Sequence, residues 1–452
     1  MFPRTLMAAW AWLLVPAQLF STAALGAPKE PAPPAPTSLC EESLRAGRQG
    51  QAGIALDLNG DGNDDLVIGA PYAQHKKATG ALLFYVSNAR GFTPRPSAVL
   101  EGSGNLGWSL VGLGDVDRDG KADFAAGAFS GSDDEVSLAG TVTLFLGGQE
   151  PKALSVLSGE NALDKFGYAL AAGDLNGDGY RDLVVGAPFH CPSPSLYQRG
   201  AVYVYAGPRF DPATAVKIPA TSANGGIGFS VAAGDINGDG LDDLLLQATG
   251  KVIAYYGGTG FFVANPQNPG QPGNPDVVFT STDAGFGRAI AVLWDVNRDG
   301  FRDVAVGAEQ ATIDNVIDSG RVFILAGGTG TRTVNADVAS PQRLARIDGE
   351  PNCGRFGSVV LPVGDVDRDG TPDLAVSAVH GDGNPWPVTG KIFILSGNTL
   401  TEGPQVVTAI PGQARDMHLG SFLAWVPKRG LLAAGAPTEK ANTGRVRLFD
   451  LR

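Results

Sequence analysis

Apolar residues along the chain fall in short runs closed by Gly, Pro or Asp, such as DLVVGAP at 182–188 and GAVYVYAG at 200–207. The runs are rich in Val, Ile, Leu and aromatics, which is the vocabulary of strands. Four of them fill each unit of about 60 residues, so one unit predicts one antiparallel four-stranded sheet. The unit repeats. DLNGDGNDD from Asp57, DVDRDGKAD from Asp115, DLNGDGYRD from Asp174, DINGDGLDD from Asp235, DVNRDGFRD from Asp295 and DVDRDGTPD from Asp365 start 58 to 61 residues apart, except for a last interval of 70. A seventh unit without the acids follows at 419–437 and ends in GRVRLFD. Seven such sheets repeated radially predict an all-β, seven-bladed β-propeller. The last unit stops after its third strand, while a spare segment, residues 38–45, precedes the first unit. That segment is expected to supply the missing outer strand and close residues 38–452 into a single domain.

The pattern differs ahead of the repeats. Residues 1–27 carry Arg4, a short apolar stretch broken by Pro16 and a small-residue end, which reads as a secretory signal peptide rather than a membrane anchor. Residues 28–37 are rich in Pro and Ala and read as a stiff linker. The expected location is outside the cytoplasm, secreted or in the cell envelope.

Each acidic segment places side-chain oxygens at positions 1, 3, 5 and 9 with Gly at position 6, a tight loop that can fold around one hard cation. Oxygen-only donors point to calcium. The candidate ligands, with a backbone carbonyl from position 7, are Asp57, Asn59, Asp61, Asn63 and Asp65 in the first loop, and Asp115, Asp117, Asp119, Lys121 and Asp123 in the second. The third and fourth offer Asp174, Asn176, Asp178, Tyr180 and Asp182, then Asp235, Asn237, Asp239, Leu241 and Asp243. The fifth and sixth offer Asp295, Asn297, Asp299, Phe301 and Asp303, then Asp365, Asp367, Asp369, Thr371 and Asp373. An EF-hand would need a bidentate Glu at position 12, where these loops have Ile68, Ala126, Val185, Leu246, Val306 and Val376. A plain surface turn would explain one copy, not six in phase. In the seventh unit Lys428 and Arg429 stand where the acids would be, so no site is expected there.

Composition sharpens this. Gly is 63 of 452 residues with no collagen period, and the repeat explains the excess. The net charge of −12 argues against nucleic acid or an anionic membrane as partner. Positions 1, 3, 5 and 9 of the six loops hold 20 of the 46 acidic residues, so the acidity reads as a requirement for metal. Four His and three Cys offer little for a zinc enzyme or a disulfide scaffold.

Together the FG pairs, DxNGDGxxDLxVGAP and GxVYVY at this spacing resemble FG-GAP repeats, the blades of the integrin α-chain propeller. The resemblance implies a seven-bladed propeller with calcium held in hairpin loops between the first two strands of a blade on the lower face. Six acidic loops make about six ions, expected to be mainly structural because their summed binding energy matches a typical domain stability. Departures are Gln49-Gly50 for FG in blade one, Gln247-Ala248-Thr249 for GAP in blade four, and Phe129, Glu309 and Val379 for the GAP proline. Without evident leg domains, membrane span or inserted ligand domain, the chain reads as a free-standing, bacterial-type relative and a monomer.

Ligands are then expected on the upper face, whose loops hold Tyr72, Trp108, Phe129, Phe189, Tyr197, Trp386, His75, His190, His380 and His418, the histidines being too far apart to converge. Cys191 and Cys353 lie on blades that are not neighbours, which argues against a disulfide. The expected function is protein binding in adhesion, with a glycan-binding lectin as the alternative. An extracellular hydrolase or lyase ranks last, since no GxSxG or HExxH occurs.

Overall fold

The computed structural model describes residues 37–39, 51–75, 78–131, 138–191, 200–220, 225–261, 274–350, 353–381, 389–413, 418–438 and 444–452. The expected leader, the linker up to residue 36 and most of the Pro- and Asn-rich insert at 261–276 lie outside the described residues.

The runs read as strands form seven antiparallel sheets arranged as blades. Blade three shows the plan: Ala169–Gly173, Asp182–Ala187, Ala201–Tyr205 and Val216–Pro219 pair in chain order, from the innermost strand outward. The second strand is buried along its whole length in blades one to five, which is why it reads as an unbroken apolar run. Buried apolar side chains of the described residues gather in seven clusters, each shared by two adjacent blades. One joins Leu66, Leu83 and Tyr85 of blade one to Phe422, Val446 and Leu448 of blade seven, so the core runs around the full ring.

Blade seven consists of Leu423–Val426, Leu431–Ala436 and Arg445–Asp450, with Thr37–Leu39 as its outer strand, antiparallel in the register Thr37↔Leu448 to Leu39↔Val446. Thr37, placed by the sequence at the end of the linker, is the first residue of that strand.

The FG and GAP glycines have one shared cause. A Cβ added to Gly186 of the third blade's GAP would lie 2.1 Å from the carbonyl oxygen of Gly228 in blade four, and Gly69 stands in the same relation to Gly107 at 1.9 Å. The main chains of neighbouring blades touch here, and only glycine fits. Blade four departs from this. Its Gln247 packs on Gly287 of blade five, and the buried Gln247 Oε1 has no hydrogen-bond partner among the described residues.

The interval of 70 also has a structural origin. After its third strand, blade five sends out Arg332–Asn335, which pairs in parallel with Val277–Thr280, the outer strand of blade four. Blade four is thereby five-stranded, and its edge is covered.

Candidate metal centres and the opposite rim

The six acidic loops join the first strand to the second at one end of the blades. In the third, the position 1 carboxylate of Asp174 accepts the N–H groups of Gly177 (2.7 Å), Asp178 (3.1 Å) and Gly179 (2.9 Å), which curls the loop around it. Asn176 Oδ1 accepts from Asp178 N at 2.8 Å, and Asp178 Oδ1 accepts from Tyr180 N at 2.9 Å. All six loops repeat the bond from the position 7 N–H, of Asn63, Lys121, Tyr180, Leu241, Phe301 or Thr371, to the position 5 carboxylate. The Gly at position 6 has positive φ throughout, from +83° to +95°.

Position 9 is built differently. Asp182 is fully buried. Its Oδ2 accepts from Leu175 N at 2.9 Å and its Oδ1 from Gly207 N at 3.0 Å, stitching the start of the loop to the end of the third strand. Asp65, Asp123, Asp243, Asp303 and Asp373 make the corresponding pair of bonds. Burial pushes Asp65, Asp303 and Asp373 up to about 6, and Asp182 and Asp243 up to about 7, against the lowering by their backbone hydrogen bonds. Asp123 is raised for the same reason. A divalent ion beside these groups would reverse that preference and hold them ionised.

The donors of the candidate sites converge unequally. Carboxylate oxygens of Asp115, Asp117 and Asp123, and of Asp365, Asp367 and Asp373, lie within 4.8 Å of one another. These are positions 1, 3 and 9 of the two loops with Asp at position 3. Asp119 and Asp369 at position 5 stand outside those triads, and Asp119 pairs with the Lys121 ammonium. The other four loops have the Asn59, Asn176, Asn237 and Asn297 amides at position 3. Their position 1 carboxylates, Asp57, Asp235 and Asp295 like Asp174, collect loop N–H groups in the same way. The donor set is oxygen throughout and fits a hard cation such as calcium. In blade seven, the Lys428 ammonium bonds the carbonyl oxygen of Gly62 in the first loop, and Arg429 Nη2 bonds that of Asn88, past the third strand of blade one, at 2.6 Å.

The other end of the blades carries half-buried aromatics. Trp108 lies 6.4 Å from Tyr72, 4.7 Å from Phe129 and 5.3 Å from Tyr168, and Phe229 lies 5.5 Å from both Tyr168 and Phe189. The sequence singled out Tyr72, Trp108, Phe129 and Phe189 but not Tyr168 and Phe229. The missed signal is positional: both directly follow an FG-type glycine, as Trp108 does. Tyr197, Trp386 and the His75 side chain lie outside the described residues.

Two of the histidines do converge, contrary to expectation. His380 and His418, on blades six and seven, have ring centroids 5.4 Å apart, because adjacent blades bring their loops together. Burial, with Arg355 and His418 nearby, pushes His380 down to about 4. His190 is separate and buried, with Nδ1 2.8 Å from Asp164 Oδ2. No helix among the described residues is long and apolar enough to cross a membrane.

An FG-GAP repeat model matches residues 166–205, 227–260 and 286–325, and an FG-GAP-like repeat model matches 57–126. Mouse integrin alpha-IIb is 30% identical over 310 residues, which is 61% of this chain and 28% of that protein. Bovine phosphatidylinositol-glycan-specific phospholipase D is 26% identical over 400 residues, 79% of this chain and 46% of the relative. Chicken integrin alpha-8 is 31% identical over 261 residues, 53% and 22% respectively. The chain thus spans less than half the length of these relatives. The repeats, the blades they build and these similarities make the chain an FG-GAP repeat protein with an integrin α-like seven-bladed β-propeller.

Proposed function

We propose that the protein is an exported binding module whose propeller is held rigid by calcium in its six acidic loops and meets its ligand on the opposite, aromatic rim. The observation that carries this is the sixfold repetition of one loop geometry. Each loop turns its carboxylates inward on backbone N–H groups and keeps a buried carboxylate at position 9, where an unneutralised charge is costly. The ligands are those at positions 1, 3, 5 and 9 with the position 7 carbonyl. At millimolar calcium and a dissociation constant near 10⁻⁴ M, each site stabilises by about 1.4 kcal/mol. Six sites then contribute about 8 kcal/mol, comparable to a typical whole-domain stability of about 5–15 kcal/mol. Calcium is therefore structural, and the face away from it is left for recognition and adhesion.

Thermal unfolding with calcium and with excess EGTA tests the metal reading: a large downward shift in EGTA is expected, and superimposed curves overturn it. Export is tested by mass spectrometry of the mature N-terminus. Cleavage near Ala27 is expected, and an intact Met1 in exported protein refutes the leader.

A second reading, an enzyme, draws support from the match to the bovine phospholipase D, which covers more of this chain than that to mouse integrin alpha-IIb. Hydrolysis of a glycosylated phosphatidylinositol by the purified chain would establish it, and none in the presence of calcium would exclude it.

A further inference from the structure

The aromatic rim is chemically unlike the rest of the molecule. Trp108, Tyr168 and Phe229 stand just ahead of the innermost strands of blades two, three and four, so the repeat itself sets them side by side. Their ring centroids follow one another at 5.3 and 5.5 Å, with Phe129 and Phe189 packed beside them. A purely structural cluster needs no charge, yet two cations rest on this one. Lys165 Nζ lies 5.1 Å from the Phe129 centroid and 4.7 Å from that of Phe189, and the Arg288 guanidinium lies 5.1 Å from Phe229.

Both cations are placed in advance. Lys165 follows the buried Asp164, which pairs with His190 and whose main-chain oxygen accepts the Phe189 N–H at 3.2 Å, so the loops carrying Lys165 and Phe189 are tied together. The Arg288 side chain is 37% exposed. Its acidic neighbour Glu309 is 3.7 Å away and shared with the Ser358 hydroxyl at 3.0 Å. A chain of net charge −12 thus gathers positive charge on an aromatic surface. Beside it a cavity of about 270 Å³ opens on the propeller axis, lined by Phe229 and by polar Gln51, Ser109, Ser230 and Ser421.

We infer that this rim takes an acidic saccharide chain, an assignment that rests on the binding-module reading above. Sugar rings present flat C–H faces to the electron-rich faces of Trp108, Tyr168 and Phe229. Their carboxylate or sulfate groups meet Lys165 and Arg288, and their hydroxyls meet the serines and Gln51 of the axial cavity. A neutral sugar would leave the Lys165 ammonium, which pairs with no carboxylate among the described residues, unanswered, and an acidic peptide would leave three rings without a flat partner. Single-stranded DNA would suit rings and cations, but it brings no run of hydroxyls to the serines and Gln51 of the axial cavity.

The test is calorimetric titration of the full chain, in calcium, with hexagalacturonate, its methyl ester, a poly-Glu peptide and an oligothymidylate. Hexagalacturonate is expected to bind and the other three to bind at least about tenfold more weakly. Trp108→Ala, and separately Lys165→Gln with Arg288→Gln, are expected to weaken hexagalacturonate about tenfold. Melting curves verify that each variant folds, and the exposed Arg288→Gln alone serves if the others do not. Equal binding of the ester, the peptide or the oligonucleotide overturns the assignment, as does wild-type affinity in folded variants. No saccharide binding, with the EGTA shift intact, sinks this inference and leaves the metal reading standing.

Discussion

At the scale of single residues, the loop carboxylates divide into two kinds. Asp182 is buried, and both its oxygens are taken up by backbone N–H groups, whereas Asp178 sits on an exposed part of the loop. Asp182→Asn turns one acceptor into a donor facing an N–H, so it is expected to cost about 1–3 kcal/mol even in EGTA. Asp178→Asn is expected to leave the EGTA melt unchanged and to reduce only the gain from added calcium. Urea titrations of both variants with and without calcium separate the two roles. The histidine pair gives a pH prediction with a definite sign. His380 has its pKa lowered from 6.5 to about 4, first by burial and then by Arg355 and His418, with Asp318 opposing. Its unfolded form takes up a proton near 6.5 while the folded form does not, so stability falls as pH drops from about 6.5 toward 4 and this contribution is flat below. His380→Gln should flatten that part of the stability–pH profile, and an unchanged slope counts against the assignment.

At the scale of strands and blades, neighbouring blades meet main chain to main chain between the GAP glycine of one and the FG glycine of the next. Gly186→Ala would put a methyl group 2.1 Å from the Gly228 oxygen, so the two blades would have to move apart. Overpacking of this kind typically costs about 1–3 kcal/mol, to be read from the urea midpoint, and a midpoint equal to wild type would mean that the ring yields there. The blade plan was legible because both its periods are local: apolar runs of strand length, and an acidic loop recurring once per sheet. The reason for the glycines was not, since it lies between residues some 40 apart, such as Gly69 and Gly107, that meet only once the ring exists. Nor was the fifth strand of blade four. Arg332–Asn335 has little to mark it as a strand, and it forms by pairing with an edge that another blade supplies. The loops were legible residue by residue, but the two jobs of their carboxylates were not, because position 9 owes its role to an N–H just past the third strand, Gly207 in the case of Asp182.

At the scale of the whole molecule, the ring depends on its closure. Each cluster of buried side chains spans two blades, so no blade has a core of its own, and opening one interface exposes the inner faces of two neighbours. Blade seven draws three strands from the end of the chain and its outer strand, Thr37–Leu39, from the beginning. That short strand covers the edge of Arg445–Asp450, whose Val446 and Leu448 belong to the core shared with blade one and whose Phe449 belongs to the core shared with blade six. Removing it uncovers an edge in contact with both interfaces. Deletion of residues 37–46 is therefore expected to lower the melting temperature sharply. The loss should persist in saturating calcium, because the acidic loops lie in blades one to six and cannot replace a strand in blade seven. A deletion variant that melts with the full-length chain would show that the interface clusters alone hold the ring, and that the N-terminal strand is an addition to a propeller already closed.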